Sequence, residues 1–178
     1  MDNKKTVIYS RVGIVCLFPL LLSLTNCTFL KMQSNQIYGK LLLSMRKPGE
    51  QILSLPDEVW QEYNCDNKVQ PYQRIEKFEL TPKIIQPGKS FNLRFLYSLC
   101  TSERFEEIVG ILFTRISFRG NYIVNDIEEN YAMKPGRWRI DTFIDLPATA
   151  KVGIYLVELE FRSPELQFKE QACFVVEQ

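Results

Sequence analysis

Histidine is absent from all 178 residues. That removes the commonest general base, the commonest metal ligand and the usual pH switch together. Ser-His-Asp and Cys-His catalysis, and zinc sites built on histidine, are excluded. A serine nucleophile would have no such base to work with. No apolar run reaches the roughly 20 residues that a spanning helix needs; the longest, Val12 to Leu24, has thirteen and is interrupted by Pro19. An excess of one charge is also missing: the net charge is +1, which gives no electrostatic footprint for nucleic acid or anionic lipid. No internal repeat, low-complexity tract or CxxC pair occurs.

What is present begins at the N-terminus. Lys4, Lys5 and Arg11 precede the Val12–Leu24 run, the order of a secretory signal. Leu24-Thr25-Asn26-Cys27 follows and resembles a bacterial lipobox. The resemblance implies cleavage before Cys27 and lipid on that cysteine, with two or three acyl chains supplying a stable anchor. By further resemblance to enterobacterial sorting, Thr28 after the cysteine directs the protein to the outer membrane of a Gram-negative cell. Loss of residues 1–26 takes away Lys4, Lys5, Arg11 and Asp2, so the net charge falls from +1 to −1 over the remaining 152 residues. That length is one domain with room for a core.

The expected organisation is a signal peptide at 1–26, a membrane-proximal tether at 27–50, a short helical cap segment at 51–74 and a β-domain at 75–178. Pro56 at a first helical turn, Asp57 and Glu58 at its positive end, and Val59, Trp60 and Tyr63 at helical spacing predict a short helix. From Ile75 the period becomes two. Phe91, Leu93, Phe95, Tyr97 and Leu99 alternate with more polar neighbours. Further strands are expected over Ile108–Arg119, Tyr122–Tyr131, Arg137–Leu146, Ile154–Arg162 and Gln167–Val176, with turns at Arg119-Gly120-Asn121 and Lys134-Pro135-Gly136. About seven strands with turns between them predict an all-β antiparallel sandwich.

Three pieces resemble bacterial immunoglobulin-like domains. They are Leu80-Thr81-Pro82 through Gln86-Pro87-Gly88 into Phe91-Asn92-Leu93, Leu146-Pro147 through Gly153-Ile154-Tyr155, and the closing Ala172-Cys173-Phe174-Val175-Val176. The resemblance covers roughly residues 75–177 and implies a sandwich architecture without a function. The antibody-type Cys…Trp…Cys core is not matched.

Cys65, Cys100 and Cys173 remain after Cys16 leaves and Cys27 is lipidated. Three pairings are open. Cys65–Cys100 is preferred because each ends a segment, whereas Cys173 lies inside a strand and reads as a small buried residue. Arg115, Arg119, Arg137 and Arg139 are expected on neighbouring strands, paired with nearby carboxylates, and Arg119 and Arg137 stand as candidate ligand contacts. Asp126, Glu128 and Glu129 read as a charged edge strand rather than a calcium loop. Trp60, Trp138 and Tyr155 are expected inside, leaving Tyr122 and Tyr131 as candidate exposed rings. No metal and no cofactor are expected.

The functional expectation is a non-enzymatic, lipid-anchored protein of the bacterial cell envelope, facing periplasm or exterior. Its sandwich meets a protein partner or gives structural support. The alternative is a carbohydrate- or peptidoglycan-binding module, which calls for an exposed pair of coplanar aromatic rings.

Overall fold

The computed structural model describes residues 47–178. The expected signal peptide, Cys27 and nearly all of the expected tether lie outside the described residues. Among the described residues no helix is long and apolar enough to cross a membrane.

Among the described residues nine strands and one helix follow in the order β1 (Glu50–Ser54), α1 (Pro56–Tyr63), a short 3-10 turn (Cys65–Asn67), β2 (Tyr72–Thr81), β3 (Ile84–Ile85), β4 (Ser90–Cys100), β5 (Ile108–Phe118), β6 (Asn121–Met133), β7 (Gly136–Asp145), β8 (Gly153–Arg162) and β9 (Gln167–Val176). They form two sheets, β1-β7-β4-β2 and β3-β9-β8-β5-β6. All neighbours run antiparallel except the short β3–β9 pair. The helix and the seven longer strands fall where periodicity predicts them.

The core is made by alternation. Phe91, Leu93, Phe95, Tyr97 and Leu99 all point inward from β4 and are buried. Against them the second sheet sets Ile116, Tyr155, Val157, Phe174 and Val176. Rings bridge the layers: Phe91 lies 4.6 Å from Phe174 and Phe95 5.3 Å from Phe168, centroid to centroid. A smaller cluster of Val59, Trp60, Cys65 and Cys100 docks α1 against the end of the first sheet. Pro56 starts this helix, the Glu58 carboxylate accepts from the Leu55 N–H at 2.8 Å, and Asn64 closes it in the left-handed region.

Two elements were not expected. β1 pairs with β7 inside the stretch assigned to tether and cap segment. Its buried residue is Glu50, with Ile52 and Ser54 half-buried, so EQILS carries no apolar alternation to announce a strand. Glu50 is satisfied by an ion pair with Lys134, both buried, and by the Lys47 N–H at 2.9 Å. Tyr97 meets the same corner, accepting from the Lys134 N–H at 3.1 Å. Gly49 is required at the entry, because its φ is +85° and a Cβ there would lie 2.2 Å from the Asp141 carbonyl oxygen. β3 is the second element, two residues long.

Cys65 and Cys100 form a disulfide across a sequence separation of 35. Cys173 does not behave as expected: it is exposed. The pleat decides this. Ala172 and Phe174 pack on the core, so the residue between them must point out.

Candidate functional site

The outer faces of the two sheets differ. On the four-stranded sheet, Arg137 (β7), Ser98 (β4) and Glu76 (β2) meet under the end of α1. Arg137 Nε donates to Glu76 at 2.8 Å, and Nη2 donates to Glu62 at 2.6 Å and to the Tyr63 hydroxyl at 3.0 Å. Ser98 and Tyr63 also donate to Glu76. A cleft of about 600 Å³ lies here, lined by Glu62, Tyr63, Arg74, Ile75, Glu76 and Arg137. Burial pushes the Glu76 carboxyl up, but the hydrogen bonds from Ser98, Arg137 and Tyr63 outweigh it and hold the group below the usual range. Contact with Glu62 and Glu76 raises Arg137. The guanidinium and both carboxylates are thus engaged with one another, and Glu76 is a poor proton donor near neutrality. Further along this face Arg94 donates to Asp141 at 2.7 Å, with Asn92 on the same oxygen at 2.8 Å.

The five-stranded sheet carries a second network at its centre. Arg115 Nη1 reaches Glu158 at 2.8 Å and Glu160 at 2.7 Å, and Lys169 reaches Glu158 at 2.6 Å. Burial raises the Glu158 carboxyl, but hydrogen bonds from Lys169, Gln171 and Arg115 dominate and bring it to about 2. The guanidinium of Arg115 also lies 4.4 Å from the Phe113 ring and 5.8 Å from the Tyr122 ring.

Beyond this network lies β6, the end strand. Among the described residues its single sheet neighbour is β5, so one row of its backbone N–H and C=O groups has no strand partner among them. Apolar side chains are exposed along it: Tyr122 at 60%, Ile123 at 49%, Val124 at 38% and Ile127 at 48%. The second half is different. Asp126 and Glu128 lie opposite Thr114 and Leu112, on the sandwich side of the sheet, and Glu128 binds Lys47. Inward charges of this kind blunt an edge against pairing. The open part of β6 is its first half, entered from a two-residue turn, Arg119-Gly120, in which both φ angles are positive. A bulge at Ile123 sits within it, because Ile116 opposes Val124 while Ser117 opposes Tyr122.

The expected site residues are therefore dispersed. Tyr122 is exposed beside Arg119, as the turn predicts. Tyr131 is buried instead, 6.3 Å from the Phe161 ring and near Glu50, because the strand passes over the sandwich end there; burial pushes its hydroxyl well up. Arg115 and Arg137 do not share neighbouring strands: they lie in different sheets. Both are carboxylate-paired, as are Arg139 with Asp141 and Arg162 with Glu160. Trp60, Trp138 and Tyr155 are buried. Tyr122 is the one Tyr or Trp ring classed as exposed among the described residues, and it has no coplanar companion among them. Nor do three or more Cys, Asp or Glu side chains converge as a metal cage among the described residues. The Glu50–Lys134 pair was missed because its partners are 84 residues apart and neither belongs to a chemical motif.

No family model and no curated protein matches this chain. Solved structures that resemble it include an alkylpurine DNA glycosylase from Pseudomonas fluorescens bound to DNA containing an abasic site analog (15% identity, TM-score 0.44, 60% of this chain and 30% of that one). A sporulation control protein from Bacillus subtilis matches at 12% identity and TM-score 0.44, over 62% of this chain and 51% of that one. A β-glucosidase from Listeria innocua in complex with glucose matches at 10% identity and TM-score 0.42, over 62% and 17%. The chain thus spans about half or less of each of these structures, and likenesses so distant carry no functional inference.

Proposed function

We propose that this chain is an exported envelope protein, lipid-anchored through Cys27, whose immunoglobulin-like sandwich is non-catalytic and presents the first half of β6 to a protein partner. The observation that carries the reading is that half-strand: three exposed apolar side chains, Tyr122, Ile123 and Val124, beside a backbone row with no strand partner among the described residues. Extended segments add to such edges through main-chain hydrogen bonds, with side chains supplying selectivity. An edge of this kind is a liability unless something covers it.

Support for the immunoglobulin-like reading comes from order and from one tyrosine. β2-β4-β7 and β9-β8-β5-β6 follow the A-B-E and G-F-C-C′ arrangement, with β1 beside β7 where strand D would be. Tyr155, at the start of β8, donates its hydroxyl to the Lys151 carbonyl at 2.8 Å, the geometry of a tyrosine corner. Two residues on, where an antibody domain holds its second cysteine, stands buried Val157. The non-catalytic reading is supported by the mutual engagement of the carboxylates and guanidinium in the α1 cleft.

The test uses the full chain in its own membranes. A photo-crosslinking residue at Tyr122 is expected to capture protein, and the same residue at Phe143, 75% exposed on the other sheet, is expected not to. Equal capture at both positions, or none at Tyr122, overturns the edge reading. Intact mass is expected to match residues 27–178 plus acyl chains; a mass without them removes the anchor.

A further inference from the structure

We infer that the partner at this edge is a second copy of the same chain, joined β6 to β6 in antiparallel pairing about Ile123 and Val124. The inference rests on the edge reading above and names its occupant.

Charge is the first ground. β6 begins after Arg119 and ends in Asp126, Glu128 and Glu129. A parallel pairing would set the acidic halves side by side, and so would an antiparallel one centred on Ile127, where Asp126 faces Glu128 of the other copy. Like charges directly opposite destabilise a sheet and unlike charges favour it. Centring on Ile123–Val124 removes the conflict. Arg119 then faces Glu128 of the other copy, a carboxylate that Lys47 of that copy also holds, Asn121 faces Asp126, and Tyr122 faces Asn125, each contact made twice by the two-fold axis.

Side-chain parity is the second ground, and it is independent of charge. Residues directly opposite in an antiparallel pair must project to the same face. In a regular strand Tyr122 and Asn125 project to opposite faces, which would forbid this register. The bulge at Ile123 reverses the parity. Tyr122 opposes Ser117 and Asn125 opposes Arg115, and both β5 residues lie on the outer face. Asn121 opposes Phe118 and Asp126 opposes Thr114, both on the inner face. The irregularity therefore permits a register in which Arg119 meets an opposite charge and no like charges face one another. It brings the exposed Ile123 and Val124 of both copies to the axis, where they leave water.

The experiment uses full chains in native membranes, all carrying Cys173→Ser. Copies with Tyr122→Cys are co-expressed with copies carrying Asn125→Cys and oxidised. The expected result is a 122–125 disulfide-linked dimer, in excess over a control in which Phe143→Cys replaces Tyr122→Cys. Arg119→Glu in both copies is expected to lower the yield roughly five- to tenfold, and adding Glu128→Arg to the same chains to restore it. No dimer above control, or a yield indifferent to both charge changes, overturns the inference. If Tyr122 meanwhile captures a different envelope protein, the edge reading survives and the self-pairing does not. If Tyr122 captures nothing, both fail.

Discussion

β2 and β6 are both end strands, of ten and thirteen residues, and the chain treats them oppositely. β2 lies between Pro71 and Pro82, which lack the N–H that would extend its ladder. Its outer face is tied down by Glu76 to Arg137 and by Glu79 to Arg94, and α1 covers one end through Tyr63 and Glu62. β6 has a short guarded half and an apolar half with no comparable cover among the described residues. The difference teaches where charge closes an edge of this domain and where it leaves one open. Where the carboxylates and guanidinia are dense they satisfy one another. Where they are sparse, backbone and apolar side chains remain free to meet another strand.

The contrast breaks most severely at the corner that holds β1. Glu50→Ala is expected to remove the carboxylate that faces the buried Lys134 ammonium and to cost about 3–5 kcal/mol in chemical denaturation. Replacing both residues, Glu50→Gln with Lys134→Met, is expected to cost less than the single change. Close behind comes the α1 end: Cys65→Ser with Cys100→Ser is expected to remove ~3–4 kcal/mol on the chain-entropy account, read as a lower Tm.

Acid titration acts on the laced regions next. Glu158, Glu76, Glu160 and Asp141 all have folded pKa values below their ordinary ones, Glu158 at about 2. Groups depressed in this way stabilise the fold above the unfolded carboxylate pKa and lose that contribution as pH falls through the folded value. Denaturation midpoints are therefore expected to fall between about pH 4.5 and pH 2, and Arg115→Met to flatten that part of the profile. Least disturbed is the open half of β6. Ile123→Ser is expected to shift stability by no more than about 0.5 kcal/mol while abolishing capture by a crosslinking residue at position 122. A loss of several kcal/mol there would mean that β6 is structural, and the comparison with β2 would collapse.

Much of this was legible in the sequence wherever a single period ran long enough. Phe91 to Leu99 and Tyr155 to Phe161 alternate cleanly, and both are core strands. Pro56 with two acidic residues marked the helix, and segment ends marked the disulfide. The reading failed where a residue's partner lay far along the chain. β1 escaped because its buried residue is a charge matched by Lys134. Residue type favours a buried Cys173, but the pleat that buries Phe174 turns it outward. Tyr131 was placed outside because it sits near a turn, but the sandwich end covers it. Arg115, Arg137 and Arg139 are paired with carboxylates as expected and, among the described residues, Arg119 is not, and they are not all neighbours, since strands close in sequence such as β5 and β7 enter different sheets. Residue types separate an apolar first half of β6 from an acidic second half; that Asp126 and Glu128 face inward is set by the bulge and is not legible in them.

The disulfide also fixes how the domain answers tension. A pull on Lys47 first peels β1 from β7, beginning at the Glu50 corner, and then unwinds α1. At Cys65 the unravelling stops, because the load crosses to Cys100 at the end of β4, a strand hydrogen-bonded on both sides by β2 and β7. Residues 47–64 are the slack, roughly 60 Å of chain when drawn out. Behind that stop the load enters the two-sheet core through β4, so a pull on Lys47 draws out this slack before it strains the core.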